Sequence, residues 1–243
     1  MRYLTKEWYH TMGDSGLGVC LTADERAAEA SEAVFQTLRA EKLEAWLRDR
    51  QEICEILEEP FDPEREEQLF EEMTAEELWH YRERTPQAIL RKVADLRVLA
   101  LGFCTEEVFA DLEAYRAQCE EKTEQTMKQV WKLQQAQGIQ WTGDHSLHDS
   151  LVQSLNRTGE DLVIEFRRDE VDWPEIRAIR FRDARILNQE QPVENAWWLY
   201  DECWKTDRGY EIHALLWRES DVFELTIECR EPELIWTFPP AEQ

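Results

Sequence analysis

Four side chains in the C-terminal half have the chemistry for proton transfer: His148, Asp149, Glu202 and His213. An imidazole titrates near neutrality, and a partly buried carboxylate can orient it or share its proton. The run Asp144-His145-Ser146-Leu147-His148-Asp149 holds two imidazoles and two carboxylates in six residues. Metal binding by His145 and His148 needs both rings on one face, with further ligands from elsewhere. A spacing of three allows that on a helix and denies it on a strand. The segment reads as a loop entering a strand, where such residues satisfy exposed backbone groups. A structural role is expected for it, with no metal and no cofactor.

The segment Ala196–Trp217 carries Trp197, Trp198, Trp204 and Trp217 in two alternating runs around Thr206-Asp207-Arg208-Gly209, the pattern of a β-hairpin. Indole rings supply large, stiff contact area with one N–H each. Trp198, Tyr200, Trp204 and Trp217 are therefore the candidate binding residues, against the plainer reading that the aromatic face packs on the helical part. A two-residue loop, Asp207-Arg208, sets Glu202 opposite His213 and puts Trp198, Tyr200, Trp204, Leu215 and Trp217 on one face. A three-residue loop ending in Gly209 sets His213 opposite Cys203 and Lys205 opposite Glu211. Glycine at the third loop position and the Lys–Glu pair favour the second register. In either, Glu202 or Asp201 stays within reach of His213.

Other motifs carry less. Gly13-Asp14-Ser15-Gly16 has the letters that flank a trypsin-like nucleophile, but only His10 precedes the serine and helices follow it. Gly16-Leu17-Gly18 begins a phosphate-loop pattern with Leu21 where glycine is required. Both read as a turn. Asp95 and Arg97 interrupt the apolar run Val93–Leu101, and a charge there must be paired or face a rim. Glu52–Glu77 sets twelve carboxylates against Arg65 alone, without the glycine or spacing of a calcium loop. A solvated face is the default there, and a dock for a basic partner the sharper alternative.

The elements that must position these residues change period part-way along the chain. From Thr22 to about Gln137 the apolar spacing is helical. Thr22-Ala23-Asp24-Glu25 reads as a capping box opening a long helix to about Glu59, ended by Pro60 and Pro63. An acidic helix over Glu64–Arg84 follows. Thr85-Pro86 reads as the start of a central helix stopping at Gly102, and Thr105 caps a last long helix ended by Gly138. After Gly143 the period is two: Ser146–Leu155, Asp161–Arg167, Ile176–Leu187, Trp197–Trp204, Tyr210–Trp217 and Val222–Cys229 read as strands, with a bulge near Ile176–Phe181. Glu231–Gln243, with three prolines, reads as a closing tail. Helices first and strands second predict an α+β chain: a helical domain over 1–140, then an antiparallel meander of five or six strands over 141–243 packed against it.

Composition narrows the functions. The 243 residues carry a net charge of −25, with 17 basic residues against 30 acidic in 1–140 and 11 against 23 in 141–243. Both halves repel phosphate backbones and anionic lipid, which disfavours direct nucleic-acid and membrane binding and leaves basic proteins as partners. Six scattered cysteines without a C-x-x-C pair, and an N-terminus without an apolar signal core, predict reduced thiols and a cytoplasmic protein.

Met1–Tyr9 (M-R-Y-L-T-K-E-W-Y), Ile89–Gly102 (I-L-R-K-V-A-D-L-R-V-L-A-L-G), Leu147-His148-Asp149-Ser150, Ile179–Leu187 and Trp197–Leu216 together resemble a bacterial family of Gram-positive anaerobes and spore-formers, domain-of-unknown-function family 4085. Gly13–Cys20 and the acidic stretch after Pro60 resemble it least. The resemblance implies a bacterial, cytoplasmic setting and brings no activity or catalytic residue. The expectation is a non-enzymatic interaction module for a protein or peptide, an immunity-type or nucleic-acid-mimicking antagonist of a basic target being its specific form. The alternatives are a small hydrolase or metal-dependent enzyme using His148, Asp149, Glu202 and His213, and a structural subunit whose aromatic face is buried in a homodimer.

Overall fold

The computed structural model describes residues 1–139, 141, 147–167 and 176–237. Of the His/Asp run, Asp144, His145 and Ser146 lie outside the described residues. Contacts divide the chain into two compact units, Met1–His10 with Lys122–Gln243, and Thr11–Glu121. The first ten residues thus go with the sheet. Among the described residues no helix is long and apolar enough to cross a membrane.

Helix α1 (Lys6–Asp14) opens at Thr5, whose hydroxyl accepts from the Trp8 amide at 3.2 Å. In the Thr11–Glu121 unit, the expected capping box does other work. Thr22-Ala23 forms a short parallel bridge with Phe103-Cys104, and Asp24 caps a 3-10 turn over Glu25–Ala28. Ser31 is the N-cap of α2 (Glu32–Leu57), accepting from Val34 N at 3.2 Å. Asp62 caps α3 (Pro63–Arg84), with proline at its permitted first position.

Thr85 closes α3 rather than opening a new helix, and the expected central helix is two short ones, α4 (Gln87–Leu90) and α5 (Leu96–Ala100). The break is Asp95, which caps α5 by accepting from the Arg97 amide at 2.9 Å. Arg97 in turn pairs with Asp95 and Glu32 and lies over the Phe35 ring, so these two charges are a cap and its partner. Helix α6 (Glu106–Ala136) starts at Thr105 as expected, and Gly138 follows it at φ +64°. Leu38, Phe70, Val98 and Leu101 form one small core of this unit, and Tyr81, Leu99, Val108 and Leu112 another.

The fold is α+β, with eight strands in the main sheet rather than five or six: β1 (Ser150–Thr158), β2 (Asp161–Phe166), β3 (Ile176–Arg182), β4 (Arg185–Gln189), β5 (Trp197–Thr206), β6 (Gly209–Arg218), β7 (Asp221–Cys229) and β8 (Glu231–Trp236). Their order is β8-β3-β2-β1-β5-β6-β7-β4, antiparallel throughout. Two causes raise the count. Asp183 at φ +49° splits the expected Ile176–Leu187 strand, sending β4 to the edge beyond β7. The proline-bearing tail is an edge strand, where Pro232 leaves no ladder bond unmade on its open side. The expected bulge is present: the β3–β8 register shifts between Ala178 and Ile176.

β1 pairs with β2 over most of its length and with β5 only through Ser150 and Leu151. β8 also touches β6, and β3 touches β7. The sheet therefore folds over, and its inner face encloses one core that includes Val152, Ile164, Phe181, Trp198, Leu216 and Phe223.

Candidate functional site

The β5–β6 hairpin holds most of the candidate residues. Its register sets Glu202 opposite His213, Cys203 opposite Ile212 and Lys205 opposite Tyr210. The loop is therefore the two-residue one, Asp207-Arg208, and the register favoured from Gly209 is corrected. Gly209 serves another purpose. It holds φ +139°, and a Cβ there would lie 2.3 Å from the Arg230 carbonyl oxygen and 2.5 Å from that of Cys229. Both its positive φ beside the loop and the close approach of the β7–β8 corner demand glycine.

A register shift between Trp198 and Tyr200 sends their rings to opposite faces. Trp198 is 0% exposed, in the inner core, edge-on to Phe166 at 5.7 Å. Tyr200, Glu202 and Trp204 line the outer face, with Trp204 2% exposed. Trp217 sits half-buried opposite Trp197. The four aromatics expected on one face are thus divided, and two of them are buried within the unit.

What covers the outer face is the chain's own beginning. Glu202, 0% exposed, accepts from the backbone amides of Arg2 at 3.1 Å, of Tyr3 at 2.8 Å and of Leu4, and from the Trp204 indole at 2.9 Å. Each carboxylate oxygen receives two donors, which fills all four acceptor sites. The Arg2 guanidinium lies 5.1 Å from the Trp204 ring centroid and bonds Glu211 at 3.0 Å. The Met1 nitrogen reaches Glu224 at 2.8 Å and Lys6 reaches Glu190 at 2.6 Å. Helix α1 then sets Trp8 edge-on to Tyr200 at 4.8 Å, while its indole donates to the Thr123 carbonyl.

The remaining candidates pair off locally. His213 bonds Glu211 at 2.7 Å and approaches the Thr226 hydroxyl at 3.4 Å. Burial lowers its pKa from the ordinary value, against the pull of Glu211, so the ring favours its neutral form. His148 bonds the adjacent Asp149 at 2.9 Å, and its ring meets Tyr200 at 4.9 Å. Asp149 is at φ +61°, which fits the turn reading. Asp201, on the inner face, accepts from the indoles of Trp198 and Trp141. Burial pushes its carboxyl up to about 6, with the indole bonds opposing and the Glu202 charge adding to the rise. His148 and Asp149 thus pair with each other, while Glu202 and His213 are engaged with other groups. Among the described residues no three His, Cys, Asp or Glu side chains are grouped to hold a metal ion.

The family model described as Protein of unknown function (DUF4085) matches residues 101–229. The chain belongs to that family. No curated protein and no solved structure matches it. In this DUF4085 chain the matched stretch takes in α6, the hairpin and every strand but β8. The acidic run Glu52–Glu77 and the Gly13–Cys20 turn lie outside it. In that turn Asp14 ties α3 and α6 together, bonding Arg84 at 2.7 Å and the Tyr115 hydroxyl at 2.7 Å, while the Ser15 hydroxyl donates to the Met12 carbonyl. Neither has a nucleophile's surroundings.

The acidic run forms the end of α2 and most of α3. Glu52, Glu55, Glu58, Glu59, Glu64 and Glu67 are all exposed. Among them Ile53, Ile56 and Leu57 are 40%, 80% and 60% exposed, and they share one face of α2 by their spacing of three and four. The apolar spacing of the sequence sets Ile53 and Leu57 on one face with Phe35, Leu38 and Trp46, and beyond Cys54, the last buried position of α2, the end of that face is exposed.

Proposed function

We propose that this protein is a non-enzymatic, cytoplasmic interaction module, and that the acidic end of the α2–α3 pair receives a basic protein segment with apolar side chains. The observation that carries this reading is the exposed Ile53–Ile56–Leu57 stripe set among carboxylates. Aliphatic side chains exposed to this degree and contiguous on a helix are characteristic of interaction surfaces. A surrounding field of one sign speeds encounter with a partner of the other and rejects phosphate. An antagonist of a nucleic-acid-binding protein is the specific form that fits this charge. The engagement of Glu202 with the Arg2–Leu4 amides, of His213 with Glu211 and of His148 with Asp149 weighs against the hydrolase alternative. Six free thiols, five of them buried, suit a reducing compartment.

A photo-reactive residue at position 56, irradiated in cells that produce the protein, is expected to crosslink a discrete basic protein. Ile53→Ser with Leu57→Ser should remove that crosslink without altering charge. Crosslinking only to a second copy of the chain would establish the homodimer reading instead, and no crosslink at position 56 would refute the docking site.

A further inference from the structure

The Thr11–Glu121 unit contains a cavity of about 400 Å³, a volume in the range of small-molecule sites. Its walls come from one stripe of α2 (Lys42, Trp46, Asp49), one stripe of α3 (Met73, Glu77, Tyr81), the Gly16–Cys20 turn and the α5 end at Leu101-Gly102. Each stripe follows the three- and four-residue spacing of a helix face. The body of the cavity is apolar, through Val19, Trp46, Met73 and Leu101.

Two polar groups stand out in its walls. Lys42 is its single cation, half-buried, and among the described residues it forms no ion pair in a chain with 53 acidic side chains. Its ammonium rests against Gly102, where a Cβ would lie 3.3 Å from it, with the Phe103 ring centroid at 5.7 Å. Tyr81, 4% exposed, also lines the cavity. Burial, followed by the Glu77 carboxylate, raises its pKa, so the phenol remains a neutral donor.

We propose that this cavity binds a small organic monoanion with an apolar body, of the medium-chain carboxylate type. Lys42 takes the carboxylate, the Tyr81 hydroxyl is the second donor, and the chain lies along Trp46, Met73 and Leu101. Asp49 and Glu77 at the walls repel a second negative charge, which excludes dicarboxylates and phosphates.

The chain has four methionines, so protein labelled with ¹³C at the methionine ε-methyl groups gives four resonances, and Met73→Leu assigns the one in the cavity. Titration with octanoate should shift the Met73 resonance saturably. Octanol and octanedioate should bind at least about tenfold more weakly, as expected for the loss of one charge-assisted contact. Lys42→Met keeps the aliphatic stem and should weaken octanoate about tenfold while leaving octanol unchanged. Ala45→Phe, which fills the cavity from α2, should remove both, with circular-dichroism melting used to check each variant's fold. No shift at Met73, unchanged octanoate affinity in folded Lys42→Met, or tighter binding of octylammonium than octanoate at Met73 would each overturn the proposal.

Discussion

Glu202→Gln tests the structural reading of the hairpin most directly. In the native protein, Glu202 Oε1 accepts from the Tyr3 and Leu4 amides, and Oε2 from the Arg2 amide and the Trp204 indole. Glutamine keeps the volume but turns one of those oxygens into an NH₂ donor. Whichever way the amide is flipped, two of the four N–H groups lose their acceptor and face another donor. At about 1–3 kcal/mol for each buried group left unsatisfied, the cost is about 2–6 kcal/mol. That is a large share of a typical domain's stability of about 5–15 kcal/mol. The N-terminal segment can limit the loss by detaching, since its amides then find water, but this uncovers Tyr200 and Trp204. Urea unfolding and hydrogen exchange of the Arg2–Trp8 segment read the two outcomes. Either the midpoint falls by the stated amount, or the amides of Arg2, Tyr3 and Leu4 lose protection while the sheet keeps its own. A variant within about 1 kcal/mol of wild type that retains protection at Arg2–Leu4 would refute the reasoning.

Three further substitutions probe the same unit. Gly209→Ala should destabilise by more than about 1–3 kcal/mol, because the new Cβ meets two carbonyl oxygens at 2.3 and 2.5 Å and the φ of +139° is strained for any side chain; a neutral effect in thermal unfolding would contradict it. Trp198→Ala removes a fully buried indole and should cost about 3–5 kcal/mol, where an unchanged melting temperature would mark the ring as surface. Asp201→Asn should change stability in a pH-dependent way. Burial pushes the native carboxyl from the ordinary 3.8 up to about 6, so wild type loses stability as pH rises between these values. The difference between wild type and Asp201→Asn should therefore shift by about 2 kcal/mol, in favour of the variant, from pH 4 to pH 7, and a flat difference would refute the raised pKa.

Much of the α+β plan was legible because it rests on period. The switch from 3.6 to 2 after Gly143 is strong, and the cap at Thr105 lies where a polar residue precedes apolar spacing. Errors arose where a local signal had two physical uses. Thr85-Pro86 fits a helix start, yet the Thr85 amide donates back to the Tyr81 carbonyl and ends α3. Asp95 looked like a charge stranded in an apolar run and is the cap that divides it. Pro232 argued against a strand, and an edge position removes that objection. Gly209 is the clearest instance: besides its positive φ, glycine is demanded by the neighbouring β7–β8 corner, which no reading of the loop alone can supply.

The candidate site was half legible for a related reason. Glu202 and His213 are indeed cross-strand neighbours, but proximity on a sheet does not decide which groups they serve. A carboxylate placed between Tyr200 and Trp204 on a covered face must find donors equal to its acceptors, and in a chain this acidic few free cations are available to supply them. Backbone amides are donors that no composition count registers. Three consecutive ones come from Arg2, Tyr3 and Leu4, whose extended course brings them to one carboxylate. The N-terminal sequence therefore belongs to the hairpin's chemistry, and Glu202, a carboxylate suggestive of catalysis, is the group holding it. The two sites proposed above rest on side chains without such ties: the aliphatic stripe at the end of α2, and the cavity lined by Lys42, both in the Thr11–Glu121 unit.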